Sequence, residues 1–176
     1  MNQTDTVNQT DTPRAAPQRV PEELLSSPIF LLRRLGMAAK ERSLEDYAAT
    51  GLHPYHHAIL ALLDEGVRET QGQIADALGY DKGQLVGLLD ELEEAALVER
   101  RRDPADRRRQ TVQITPAGRK TLDRLRALSK RIEEEFLAPL DEAERRELQA
   151  LLLRVCETHL PNCRVAAPAP LAAAAD

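Results

Sequence analysis

Two helix-start signals stand eleven residues apart, Thr70 with Gln73 and Asp81 with Gln84, and Gly79 lies between them. A Ser, Thr or Asp followed three residues later by Gln or Glu forms a capping box, and Gly just past an apolar run closes a helix in the left-handed conformation. The helix that fits between them is therefore about two turns long, with Ile74, Ala75 and Leu78 as its apolar positions. A second helix opens at once at Asp81, with Leu85, Val86, Leu88, Leu89 and Leu92 on its inner side, and ends near Ala96. Two short helices joined across Gly79, Tyr80 and Asp81 make a helix-turn-helix, whose second helix presents its N-terminal side chains outward.

The surroundings of this pair are equally punctuated. Ser27 and Pro28 are an N-cap and first-position pair, and Ile29, Leu32, Leu35 and Ala39 continue at helical spacing, so a long first helix runs towards Ala49 and stops at Gly51. Pro54 opens another helix whose run Ile59, Leu60, Leu62 and Leu63 is apolar nearly all round and so is expected to be buried, with Gly66 closing it. After Ala96 the period changes: 97–101 and 110–115 are short alternating stretches around a polar turn containing Pro104, which predicts a two-stranded hairpin. Thr115 and Pro116 then start a helix with a seam at Leu122, Leu125, Leu128, Ile132 and Phe136, broken by Pro139. Asp141 and Glu144 box the last helix, which carries Leu148, Leu151, Leu152, Val155 and His159 on one face. The flanks differ from this core. Residues 1–20 repeat Asn-Gln-Thr-Asp-Thr at 2–6 and 8–12 without apolar periodicity, and 161–176 are rich in Ala and Pro, so both are expected to be disordered.

Charge has to be summed locally. The formal total of −5 over 176 residues argues against a nucleic-acid partner. Yet 98–131 holds twelve Lys and Arg against four carboxylates, a local +8 that leaves −13 on the remainder. With a Debye length of about 8 Å at physiological salt, a basic cluster can hold phosphate while distant acids repel it weakly. Arg102, Arg107, Arg108 and Arg109 crowd a hairpin tip, where a turn has no structural need for like charges. The longest apolar run is 58–63, far short of the roughly 20 residues of a spanning helix. No membrane partner is expected, and the polar start, without the order of a secretory signal, points to a cytoplasmic protein. Cys156 and Cys163 are too few for a disulfide scaffold. We find no phosphate-cradling loop and no nucleophile paired with a base, so the chain is not read as an enzyme and no cofactor is expected.

A hairpin directly after a helix-turn-helix makes a winged helix. The stretch LVERRRDPADRRRQTVQITPAG at 97–118, with DKGQLVGLLDELEEAA before it, resembles the MarR family of bacterial winged helix-turn-helix transcriptional regulators. The similarity covers about 28–159, and the Asp-x-Arg ahead of a strand ending in Ile, Thr and a Gly is its most specific part. The resemblance implies a mainly α fold with a small two- or three-stranded β wing. It places the winged helix at about 54–115 and dimerisation helices at about 27–49 and 116–160, inside a domain spanning 21–160. It also implies that Asp106 orients the wing, that Arg108 reaches into the minor groove, and that the helix from Asp81 reads the major groove of double-stranded DNA. A narrow A·T-rich minor groove concentrates negative potential that attracts Arg.

On the reading helix, Lys82 suits guanine and Gln84 suits adenine, although Gln84 could instead complete its capping box. Many members of the family place Ser or Thr where Gly83 stands and a larger side chain at Gly87, so close approach to the sugar-phosphate backbone is expected here. Such regulators form homodimers, and the apolar surface of the first and last helices exceeds what one small winged helix covers. They often respond to a small phenolic or carboxylate effector, for which Arg33, Arg34, His53, Tyr55 and His56 are the candidates. The fold so implied belongs to a ligand-responsive repressor released from a pseudo-palindromic operator. Two alternatives stay open: a winged-helix protein-interaction module, and a metal- or redox-responsive regulator of the same fold using His53, His56 and His57 or the cysteines. Adjacent His56 and His57 point to different helix faces and no carboxylate lies at ligand spacing, so no metal site is assigned.

Overall fold

The computed structural model describes residues 19–65, 69–102 and 110–160. The repeat-bearing N-terminal stretch, Gly66, the hairpin tip with Asp106, Arg107, Arg108 and Arg109, and the Ala/Pro-rich end with Cys163 lie outside the described residues. The chain falls into two compact units, Met1–Ala38 and Ala39–Asp176.

The elements run in order α1 (Glu22–Leu25), α2 (Pro28–Ala48), α3 (Pro54–Asp64), β1 (Glu69–Thr70), α4 (Gln71–Leu78), α5 (Lys82–Glu94), β2 (Val98–Arg102), β3 (Gln110–Ile114), α6 (Pro116–Phe136) and α7 (Glu142–His159). The described part of the first unit is α1 and the N-terminal half of α2. Ser27 accepts the Phe30 N–H as expected of a cap, and Ile29 is 76% exposed, with Leu32, Leu35 and Met37 also exposed.

In the second unit the core is built from Ile59, Leu60 and Leu63 of α3, Ile74 and Ala75 of α4, the leucines of α5, Val98, Val112 and Ile114 of the sheet, and Leu122, Leu125 and Ile132 of α6. The near-continuous apolar run of α3 is buried because α4, α5, β3 and α6 all pack on it. The strands form one antiparallel sheet in the order β1-β3-β2, with Val98 opposite Ile114, Arg100 opposite Val112 and Glu69 opposite Val112. β1 is only two residues long and carries no period of its own; it exists because the free edge of β3 needs a partner. α7 holds no buried residue, and its Leu151, Leu152 and Val155 are exposed. Among the described residues no helix is long and apolar enough to cross a membrane.

The expected capping devices are present at three starts. Thr70 and Gln73 exchange both bonds of a box, Asp141 and Glu144 do the same, and Thr115 accepts the Gly118 N–H with Pro116 at the first position. Gly79 closes α4 at φ 67°, a left-handed conformation that a side chain would oppose. Just past the Ala95 cap of α5, Ala96 has φ 56°, the only non-glycine with positive φ among the described residues.

Candidate nucleic-acid interface

α5 begins differently from the expected capping box. The Asp81 carboxylate alone accepts the N–H groups of Gly83 (2.8 Å) and Gln84 (3.1 Å), and the Gln84 side chain does not bond back to the cap. Its amide has no partner among the described residues, and Gln84 is exposed beside Lys82 and Gly83. A second expectation fails at Val86. The apolar pattern puts it on the inner side, but it is 42% exposed, while Leu85, Leu88, Leu89 and Leu92 are buried. At 3.6 residues per turn those four leucines already fill one side, and Val86 falls on its flank. Gly87 is exposed, and a Cβ placed there would meet nothing within 4 Å.

The hairpin is fixed to this helix by Arg100, which the sequence reading did not single out. From β2 its guanidinium donates to Asp90 at 2.5 Å and to Glu93, and its backbone N–H donates to Glu93 at 3.2 Å. Its side chain is only 16% exposed, and the two carboxylates hold its pKa above the usual arginine value against the opposing effect of burial. The hairpin is thus tied to the C-terminal half of α5, leaving the N-terminal half to face outward. Arg101 pairs with Glu99 on its own strand. Arg102 is exposed, with no carboxylate at ion-pair distance among the described residues.

Several basic charges of α6 are engaged elsewhere, although Lys120 and Arg124 are exposed with no carboxylate at ion-pair distance among the described residues. Arg119 and Arg126 both reach Asp64 at the end of α3, at 3.2 and 2.9 Å, and Arg131 faces Asp46 and Glu135. Arg42 of α2 joins the same group through Asp46 and Glu135. The N-terminal turn of α6 is seated by Gly118, where a Cβ would lie 2.1 Å from the Leu97 carbonyl oxygen. Thr115 completes the seat: its N–H donates to Leu97 O at 3.0 Å and its hydroxyl to Ala96 O at 2.8 Å.

The effector candidates divide between the two units, Arg33 and Arg34 in the first and His53, Tyr55 and His56 in the second. His53 and Tyr55, with Ala39, Lys40, Ser43, Leu44 and Pro54, line a groove of about 220 Å³ in the second unit. Arg33 and Arg34 lie exposed in the first unit, where the Arg33 guanidinium sits 5.4 Å from the centre of the Phe30 ring. His56 is only 2% exposed and its Nδ1 accepts the His53 N–H, completing a capping box at the start of α3. Nδ1 is thus an acceptor, which leaves the ring proton on Nε2, 3.1 Å from a Glu91 carboxylate oxygen. Burial lowers the His56 pKa, with Glu91 opposing that shift. His57 faces the other way, bonded at Nδ1 to the buried Tyr47 hydroxyl at 2.6 Å, and burial followed by Arg126 lowers its pKa. The three histidines therefore point to separate places. Tyr55 packs on Tyr80 of the helix-turn-helix at 4.8 Å, and burial pushes the Tyr80 phenol up to about 12. Lys40, Ser43, Leu44 and Tyr80 were not foreseen because their proximity to Tyr55 depends on the packing of α2, α3 and the turn.

Comparison with known proteins places this geometry. The sequence description "MarR family" matches residues 50–109. The transcriptional regulator HosA of Escherichia coli O111:H- is 34% identical over 101 residues, 57% of this chain and 73% of that protein. A transcriptional repressor, CouR, bound to a 23-mer DNA duplex superposes with a TM-score of 0.72 at 30% identity, over 79% of this chain and 99% of that one. CouR from Rhodococcus jostii RHA1 bound to p-coumaroyl-CoA superposes with a TM-score of 0.65 at 29% identity, over 75% of this chain and 93% of that one.

Proposed function

This chain belongs to the MarR family of DNA-binding transcriptional regulators, and on that premise we propose that it is a ligand-responsive repressor, not an enzyme, acting as a homodimer in the cytoplasm. The observation that carries the reading is the outward N-terminal half of α5, with Lys82 and Gln84 exposed and uncommitted among the described residues and the hairpin held beside it by Arg100. The similarity to a repressor bound to duplex DNA supports the same orientation. In this reading Lys82, Gly83, Gln84 and Gly87 enter the major groove. Arg102, Arg107, Arg108 and Arg109 hold phosphates or the minor groove, and Asp106 orients the wing.

Dimerisation is supported by the apolar side chains left exposed on α2 and α7, Ile29, Leu35 and Met37 on one and Leu151 and Val155 on the other. These belong to the helices assigned to a second subunit, about 27–49 and 116–160, flanking a winged helix at about 54–115. A two-fold dimer then addresses a pseudo-palindrome with half-sites about one helical turn apart.

The groove at His53 and Tyr55 supports a small aromatic carboxylate as effector. Lys40 supplies a cation, Ser43 a hydroxyl, and Leu44, Pro54 and the Tyr55 ring an apolar wall. A ligand there would push on Tyr55, and through Tyr80 on the turn that positions Asp81 and α5. The test is a binding titration of the duplex flanking the protein's own gene, with and without a panel of aromatic acids. Tightest binding without ligand, and release by at least one acid, is expected. Binding that only strengthens with every active acid overturns repression by release, and no binding to that duplex under any condition overturns the regulator reading.

A further inference from the structure

The outermost ridge of α5 is bare where the helix meets its target. Opposite Leu85, Leu88, Leu89 and Leu92 lie Gly83 and Gly87, one turn apart, followed by Asp90. Packing does not demand glycine at 87, and at 83 it asks only that the capping carboxylate of Asp81 yield by a few tenths of an ångström. A Cβ at Gly87 meets nothing within 4 Å, and one at Gly83 meets only an Asp81 carboxylate oxygen at 3.1 Å, while each glycine weakens the helix by about 1 kcal/mol relative to Ala. Without side chains on this ridge the helix can lie deeper in a groove, and the residues flanking it become the ones that reach base edges. Those flanks are Val86 on one side and Gln84 on the other, separated by about 200° of helix turn.

Val86 is the unexplained residue. The four leucines complete the core face of α5, so Val86 adds nothing to the core, and a β-branched side chain is a poor choice for an exposed helix position. An exposed apolar group projecting into the major groove has one specific partner there, the 5-methyl group of thymine. Gln84, freed from capping by Asp81, has the matching preference for the N6 and N7 edge of adenine. We propose that α5 reads A·T pairs from both flanks of its glycine ridge, with Val86 packing on a thymine 5-methyl group and Gln84 bonding an adenine. The inference rests on α5 being the DNA-reading helix, and it adds a base preference and a residue, Val86, that the family resemblance did not supply.

The experiment uses the full-length protein and a duplex library with a randomised centre, from which binders are enriched over several rounds. The most enriched duplex is then resynthesised with deoxyuridine replacing each thymidine in turn, which removes the 5-methyl group and leaves base pairing intact. One position per half-site is expected to lose about four-fold in affinity, the worth of one buried methyl group. Val86→Ala is expected to bind the thymidine and deoxyuridine versions of that position equally, and Gln84→Ala to lose its preference at a nearby adenine. Enrichment without any deoxyuridine-sensitive position overturns the Val86 inference and leaves DNA binding standing. So does a Val86→Ala variant, folded by circular dichroism, that stays as sensitive as the parent. Failure to enrich any duplex overturns both.

Discussion

Substituting Gly118 by Ala sets two general rules against each other. Helix propensity favours Ala over Gly by about 1 kcal/mol, and Gly118 lies in the first turn of α6, so a reading from sequence predicts stabilisation. The structure predicts the reverse. The added Cβ would stand 2.1 Å from Leu97 O, 2.7 Å from Ile114 Cγ1 and 3.1 Å from the Leu97 carbonyl carbon, and two of these three neighbours are backbone. Relief requires α6 to shift by roughly 1 Å from the Leu97 backbone, because overpacked cores yield only by moving backbone. That shift strains the Thr115 N–H bond to Leu97 O at 3.0 Å and the Thr115 hydroxyl bond to Ala96 O at 2.8 Å. Overpacking of about 1–3 kcal/mol, plus about 1 kcal/mol for each weakened bond and less the propensity gain, leaves a net loss of about 2–4 kcal/mol. At about 2–4 °C per kcal/mol for a chain of this size, Tm falls by about 4–16 °C. Gly87→Ala is the control: its Cβ meets open space, so Tm should rise by a few degrees. The measurement is helical circular dichroism against temperature, with both variants and the parent at one protein concentration, since the Tm of the proposed dimer would depend on concentration. A Gly118→Ala protein melting at or above the parent would refute the close approach of α6 to the Leu97 carbonyl. On duplex DNA the order inverts: Gly87→Ala, though more stable, should bind more weakly, because its methyl group stands on the bare ridge.

Three further outcomes follow from named contacts. Arg100→Met should lower stability by about 1–2 kcal/mol in urea titration and also weaken DNA binding, because Asp90 and Glu93 on α5 are left as unpaired anions facing a polyanion; unchanged values for both would remove Arg100 as the clamp. His56 and His57 both have lowered pKa values in the fold, so between those values and about 6.5 the unfolded chain binds more protons. Their contribution is full above about pH 6.5 and is lost as pH falls through the folded values; the urea midpoint should drop from pH 7.5 to 5.5, less steeply in His56→Gln or His57→Gln, and equal slopes in all three would contradict the assignment. Arg126→Gln should leave the salt dependence of DNA binding unchanged, whereas Arg102→Gln should reduce its slope by about one if Arg102 holds one phosphate; fluorescence anisotropy over a salt series separates them, and the reverse pattern would put α6 on the DNA.

What was legible in the sequence was local. The boxes at Thr70 and Asp141 and the Thr115–Pro116 start need only residues three apart, and each formed where its spacing placed it. The same spacing misled at Asp81, where one short carboxylate satisfies two N–H groups and Gln84 is not needed. Val86 was misplaced because apolar identity was taken as inward direction, and on a helix with four leucines already inside, direction depends on the turn angle. Gly118 was visible only as part of a motif, since the carbonyl it must clear belongs to Leu97, across the hairpin. Arg100 looked like one basic residue among several, and its partners lie seven and ten residues earlier on a different element.

The same distinction resolves how an acidic chain can present a DNA-binding face. Summed along the sequence, 98–131 is a +8 block and the rest a −13 remainder, which suggests acids turned away from DNA. The folded arrangement interleaves them instead. Asp46, Asp64, Asp90, Glu93 and Glu135 come from α2, α3, α5 and α6 to meet Arg42, Arg100, Arg119, Arg126 and Arg131. Much of the block is thereby neutralised at contact distance, within a Debye length, and contributes little to the field a phosphate backbone feels. Exposed pairs of this kind add little stability individually, so their main consequence is where they leave charge uncancelled. Among the described residues Lys82 at the start of α5 and Arg102 at the end of β2 are exposed without such a partner, as are Lys120 and Arg124 of α6. Net charge therefore sets neither the sign nor the location of the interface. The pairing of Arg119, Arg126 and Arg131 with α2 and α3 reduces the competing positive surface on α6, which supports the proposal that a polyanion is attracted to the outward half of α5 and the hairpin.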